Sequence, residues 1–130
     1  MANEATPERL PVRPVAAIEA DPQHAGWLIE GLWTQQGVGL IGGAPKCCKT
    51  WLALDLAVSV ASGTPALGRF SVRESGPVLF YGAEDAAAHL RTRIEAIAAA
   101  RGIGLSGLAL GLILCPSLRL DAERARARLA

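Results

Sequence analysis

The chain has 130 residues, of which 51% are apolar and 19% charged, with a formal net charge of +1. That length fits one domain at most, and the apolar share supplies a core and excludes wholesale disorder. The near-neutral balance excludes the strong basic field of a nucleic-acid binder while leaving room for a local basic patch.

Three cysteines, Cys47, Cys48 and Cys115, are too few for a disulfide framework. Two of them are adjacent and there is no C-x-x-C pair. Neighbouring side chains do not easily share one zinc, and His24 and His89 stand at no ligand spacing from them. Reduced thiols in a cytoplasmic protein are therefore expected. Met1 to Pro14 mixes charges with prolines and lacks the apolar core of a signal peptide. The longest uncharged stretch, Gly102 to Leu118, is interrupted by four glycines. A membrane helix needs ~20 mostly apolar residues, so no membrane partner is expected.

In chain order, residues 1–22 read as a flexible N-terminal arm, because Pro7, Pro11, Pro14 and Pro22 remove backbone donors. The stretch Gly26 to Trp33 (GWLIEGLW) is short and apolar and suits the edge of a domain. Gln36 and Gly37 mark a turn. Val38 to Ile41 predicts a short strand buried on both faces. Thr50 to Ala61 predicts a helix, with Gly63 as its C-cap and Pro65 stopping continuation. Phe70 and Val72 suit a short strand, and Glu74 to Pro77 a turn.

Val78 to Tyr81 predicts a second strand. Asp85 is positioned to cap a helix running to about Arg101, whose Leu90, Ile94 and Ile97 share one face. Leu112 to Cys115 predicts a third strand, and Asp121 onward the start of another helix. Strand and helix alternate, which predicts an α/β domain with a mainly parallel sheet and flanking helices. Three strands make a small sheet, so the domain is expected to be incomplete at its C-terminus.

Between the first strand and the first helix stands Gly43-Ala44-Pro45-Lys46-Cys47-Cys48-Lys49-Thr50. The phosphate-binding P-loop (Walker A) pattern is G-x-x-x-x-G-K-[ST], and seven of its eight positions fit. Such a loop turns backbone N–H groups of residues 43–50 inward around phosphate, beside the positive end of the helix. Lys49 is expected to reach the β- and γ-phosphates of ATP, and the Thr50 hydroxyl to bind Mg²⁺. Cys48 replaces the second glycine. If its backbone is helical, the thiol points away at little cost. If the position needs contact space or a conformation that a Cβ resists, nucleotide affinity drops.

Nucleotide hydrolysis also needs a group to orient water. Glu84 and Asp85 follow the strand Val78 to Tyr81 at its C-terminal end, where ligands of open α/β sheets gather. Glu84 suits the water and Asp85 the cap. Simple capping by this acidic pair explains it equally well. Gly82 and Ala83 intervene, so the strand is not read as a Walker B strand. No other segment offers one: Leu112 to Cys115 leads to Pro116, and Asp121 comes too late.

Taken together, GGAPKCCKTWLALDLAVSVASG, GTPALGRF and GPVLFYGAED followed by HLRTRI resemble the RecA-like, AAA-type P-loop ATPases of bacteria, in the branch related to hexameric plasmid replication helicases (RepA type). GWLIEGLW is similar to that branch's lead-in to its first strand. The resemblance spans about Gly26 to Asp121 and makes residues 23–130 the N-terminal part of a RecA-like ATPase domain. It implies ATP and Mg²⁺ as cofactors, a ring of identical subunits with sites at their interfaces, and hydrolysis coupled to DNA replication or another DNA transaction. Lys49 and Thr50 match the family's P-loop residues, and Glu84 matches its water-activating glutamate. The family has glycine where this chain has Cys48, and its Walker B strand and DNA-contacting loops find no match. The alternative expectation is a nucleotide-binding module, or a truncated ATPase, without turnover. Arg91 and Arg93 are expected on a solvated helix face, and Trp27, Trp33 and Trp51 in packing.

Overall fold

The computed structural model describes residues 11–19, 26–119 and 127. Most of the arm and the helix expected from Asp121 lie outside them. Within the arm, Val15–Ala17 forms a single 3-10 turn with no buried residue.

GWLIEGLW folds into a small antiparallel hairpin, β1 (Trp27–Ile29) with β2 (Trp33–Thr34). Gly31 supplies the positive φ that its turn needs. The first helix, α1 (Lys49–Ser62), ends as expected on Gly63, whose left-handed backbone sends its N–H to the Ser59 carbonyl. Phe70 and Val72 form isolated bridges, to Ala66 and Ile29, rather than a strand.

The second unit is strand–helix–strand. β3 (Val78–Tyr81) leads into α2 (Ala87–Ala100), which returns the chain to β4 (Leu110–Ile113). β3 and β4 pair in parallel, Val78 opposite Leu110 and Tyr81 opposite Ile113. β4 thus begins two residues earlier than the apolar run alone suggested. The register explains the shift: it sets Gly111 opposite Leu79, and a Cβ at Gly111 would lie only 3.1 Å from that side chain.

The core forms where α1 and α2 meet. Leu54, Val58, Leu90 and Ile94 are buried together, with Phe80, Ile97 and Leu112 packed against them. The helical face of Leu90 and Ile94 is the one predicted, and Ile97 lies at its margin. The result is a small α/β unit with two two-stranded sheets, one of them parallel.

One expected element is not a strand. Val38 and Leu40 are fully exposed, and no backbone hydrogen bond from a described residue reaches Val38 to Ile41. The apolar run has the composition of a buried strand but no neighbour to pair with. Trp33 holds it elsewhere: its indole N–H donates to the Gly37 carbonyl at 3.2 Å, and its ring lies against Gly39. A groove of about 880 Å³ consequently runs beside β3, lined by Leu28, Ile41, Leu56, Val60, Val78 and Phe80 among others.

Candidate phosphate-binding loop

Gly43 to Cys48 forms a loop that runs straight into the first turn of α1. Among the described residues, no backbone N–H from Gly42 to Trp51 donates to a backbone carbonyl. The loop and the helix start therefore present a run of free donors at the positive end of a 14-residue helix. That arrangement suits an anion.

Lys49 lies at the mouth of this loop. Its ammonium donates to the carbonyls of Gly43 at 3.0 Å and Ala44 at 2.7 Å. Both bonds are exposed and neutral at the acceptor, so a phosphate oxygen, with full charge, outcompetes them for the same ammonium. Thr50 is half-buried, and its hydroxyl has no hydrogen-bond partner among the described residues. No group of three His, Cys, Asp or Glu side chains among the described residues could hold a metal. The Thr50 hydroxyl is the loop's oxygen that could meet a Mg²⁺ ion carried mainly by phosphate oxygens.

The backbone answers the question posed by Cys48. Its φ of 64° and ψ of 23° are left-handed, as is the φ of 62° at Lys46. This is the conformation that glycine adopts freely and an L side chain resists, at roughly 1–2 kcal/mol. The glycine of the ordinary pattern serves the backbone at this position. Cys48→Gly is expected to raise unfolding stability by about 1 kcal/mol, measured by urea denaturation. A midpoint that falls would show that Cys48 contributes packing which the strain does not offset.

The acidic segment differs from expectation at Asp85. Ala86, not Asp85, occupies the N-cap of α2, and no side chain caps the helix. The Asp85 carboxylate is instead paired with Arg93 at 3.2 Å. Asp85 stands one residue before the N-cap position, so its side chain is free to meet Arg93 of the second following turn. Glu84 is exposed, with no hydrogen bond or ion pair among the described residues.

Arg93 also lies over the Trp51 ring, 5.8 Å from its centroid. It is therefore not simply a solvated surface residue: its side chain is only 30% exposed. Trp51 sits directly after Thr50 and is 42% exposed. Arg93 thus ties the start of the P-loop helix to the segment that carries Glu84. The sequence offered no signal for this, because the three residues come from two helices and a loop.

A second cluster holds the back of α1. The guanidinium of Arg101 donates to Ser59 Oγ at 2.8 Å and Thr64 Oγ1 at 2.9 Å, and pairs with Asp55. The other Asp55 oxygen accepts the Leu67 N–H at 2.7 Å. No helix among the described residues is long and apolar enough to cross a membrane.

Comparison with known proteins identifies a family. A family model described as an AAA domain matches residues 4–128. No curated protein and no solved structure matches the chain. With a match over nearly its whole length, the chain belongs to the AAA domain family, whose P-loop NTPase fold and nucleotide binding that membership implies.

Proposed function

We propose that the chain binds Mg-ATP through Gly43, Ala44, Pro45, Lys46, Cys47, Cys48, Lys49 and Thr50. The observation that carries this reading is the run of undonated backbone N–H groups from Gly42 to Trp51, beside the Lys49 ammonium. Lys49 acts on the phosphates as a point charge, and Thr50 contributes one oxygen to Mg²⁺. Calorimetric titration with Mg-ATP tests it. Lys49→Ala is expected to weaken binding about thirtyfold, the loss of one charge-assisted contact of ~2 kcal/mol. Equal and negligible affinity of both forms would sink the proposal.

In the complete protein we assign hydrolysis to this site, with Glu84 orienting the attacking water. The exposed Glu84 carboxylate supports this, since no ion pair among the described residues neutralises it. A RecA-like arrangement for residues 23–130, a ring of subunits and a helicase-like DNA transaction rest on the sequence resemblance, and a cytoplasmic setting on the cysteine pattern. The second reading is a nucleotide-binding module without turnover. It is favoured by the left-handed Cys48, whose side chain stands where the ordinary loop has none. Binding of Mg-ATP without phosphate release from the complete protein would select it.

A further inference from the structure

A pocket of about 300 Å³ opens beside the phosphate loop, lined by Cys48, Trp51, Leu52, Asp55, Leu67 and Ile97. Cys48, Leu52 and Asp55 recur at i, i+4 and i+7 along one side of α1, so the last residue of the loop is also part of the pocket wall. Leu67 joins from the segment after α1, and Ile97 from α2.

The largest apolar side chains of this pocket are not spent in the core. Trp51 is 42% exposed and Leu67 52%. Arg93 lies over the Trp51 ring without lining the pocket, so it steadies the indole from outside the cavity. Leu67 has a φ of 51°, a left-handed backbone that an L side chain resists. The Asp55 carboxylate holds it there by accepting its N–H at 2.7 Å.

We infer, on the nucleotide reading above, that this pocket seats the purine base of the nucleotide whose phosphates occupy the loop, and that it takes adenine and guanine alike. Continuity selects this occupant. Trp51 gives its side chain to the pocket and its backbone N–H to the end of the run of free donors. A nucleotide carries its base one ribose away from its phosphates, so the base of a loop-bound nucleotide meets an adjoining pocket. Every base has a flat aromatic face that stacks on an indole, and a purine covers more apolar wall than a pyrimidine.

Telling the purines apart needs something more. Adenine carries an amine where guanine carries a carbonyl. A site discriminates strongly only when a free polar group pairs with one and is left unpaired by the other. Asp55 is the one carboxylate lining the pocket, and both its oxygens are engaged, one by the Arg101 guanidinium and one by the Leu67 N–H. The acceptor that would read the adenine amine is already taken.

Calorimetric titration of the whole chain with Mg-ATP, Mg-GTP, Mg-UTP and magnesium tripolyphosphate separates base from phosphate. Mg-ATP is expected to bind about tenfold more tightly than tripolyphosphate, the contribution of one base stacked on an aromatic ring. Mg-GTP is expected within about threefold of Mg-ATP, and Mg-UTP several-fold weaker. Trp51→Ala is expected to lower Mg-ATP affinity about tenfold and to leave tripolyphosphate within about twofold, with Trp51→Phe recovering most of the loss. Leu67→Gly keeps the positive φ without strain and removes one wall. A several-fold loss for Mg-ATP alone is expected there, even if Trp51→Ala fails to fold. Equal affinity for Mg-ATP and tripolyphosphate, or a parallel loss of both in these variants, overturns the base pocket and leaves the phosphate loop standing. A preference of more than about tenfold for either purine overturns the equal treatment of adenine and guanine. A chain that binds none of the four overturns the nucleotide reading itself and the base pocket with it.

Discussion

Phosphate release by the complete protein is expected to fall at least a hundredfold in Glu84→Gln, with Mg-ATP affinity within about twofold of the unaltered form. A positioned carboxylate that orients or deprotonates the nucleophile contributes about 10²–10⁴ in rate, and the amide retains shape while losing basicity. On the proposed reading affinity is spared, because the loop N–H groups and Lys49 would hold the nucleotide and Glu84 would not. The split between rate and affinity distinguishes a group that acts on water from one that holds the helix start. Neither acid caps α2, so loss of a cap does not explain a fall in rate. Steady-state turnover and calorimetry on the same preparation check it. An unchanged rate would reduce Glu84 to a surface residue.

Arg101→Ala is expected to lower unfolding stability by about 2–3 kcal/mol, read as an earlier urea midpoint with unchanged slope. The guanidinium joins Asp55 and Ser59 of α1 to Thr64 of the following loop. Its side chain is 15% exposed and that of Asp55 19%, which tempers the figure below that for a fully buried pair. Alanine leaves the Asp55 carboxylate with the Leu67 N–H as its remaining partner in a part-buried place. Ser59, fully buried, keeps its bond to the Asp55 carbonyl and loses its bond to Arg101. Arg101→Lys should recover only part of the loss, because one ammonium does not reach three acceptors in the guanidinium's planar geometry. A midpoint within about 0.5 kcal/mol of the parent would mean that the network adds nothing to stability.

The features legible in the sequence are those written in local patterns. Gly63 announced the end of α1 because its left-handed conformation is a property of one residue type. Leu90 and Ile94 announced the buried face of α2 through helical spacing. Val78 to Tyr81 paired where an apolar run between turn residues said it should. Val38 to Ile41 carried the same signal, but whether an apolar run pairs depends on a neighbour and on Trp33, which composition does not encode. Asp85 was misread because a cap is inferred from adjacent residues, whereas its partner Arg93 stands two helical turns on. The ion pair of Asp55 and Arg101 joins residues 46 apart and had no local trace. In the phosphate loop, spacing pointed to Lys49 and Thr50 as candidates, and they stand at the start of α1. Whether Cys48 was tolerable turned on one backbone angle, and only the structure supplied it.

The groove beside β3 has a consequence for handling the protein. Among the described residues one side of that strand is taken by β4, and the run Val38 to Ile41 lies nearby with Val38 and Leu40 in water and Ile41 lining the groove. An open strand edge is a template for any extended backbone, and an exposed four-residue apolar run is a ready guest. The same chain thus carries both halves of an intermolecular pairing.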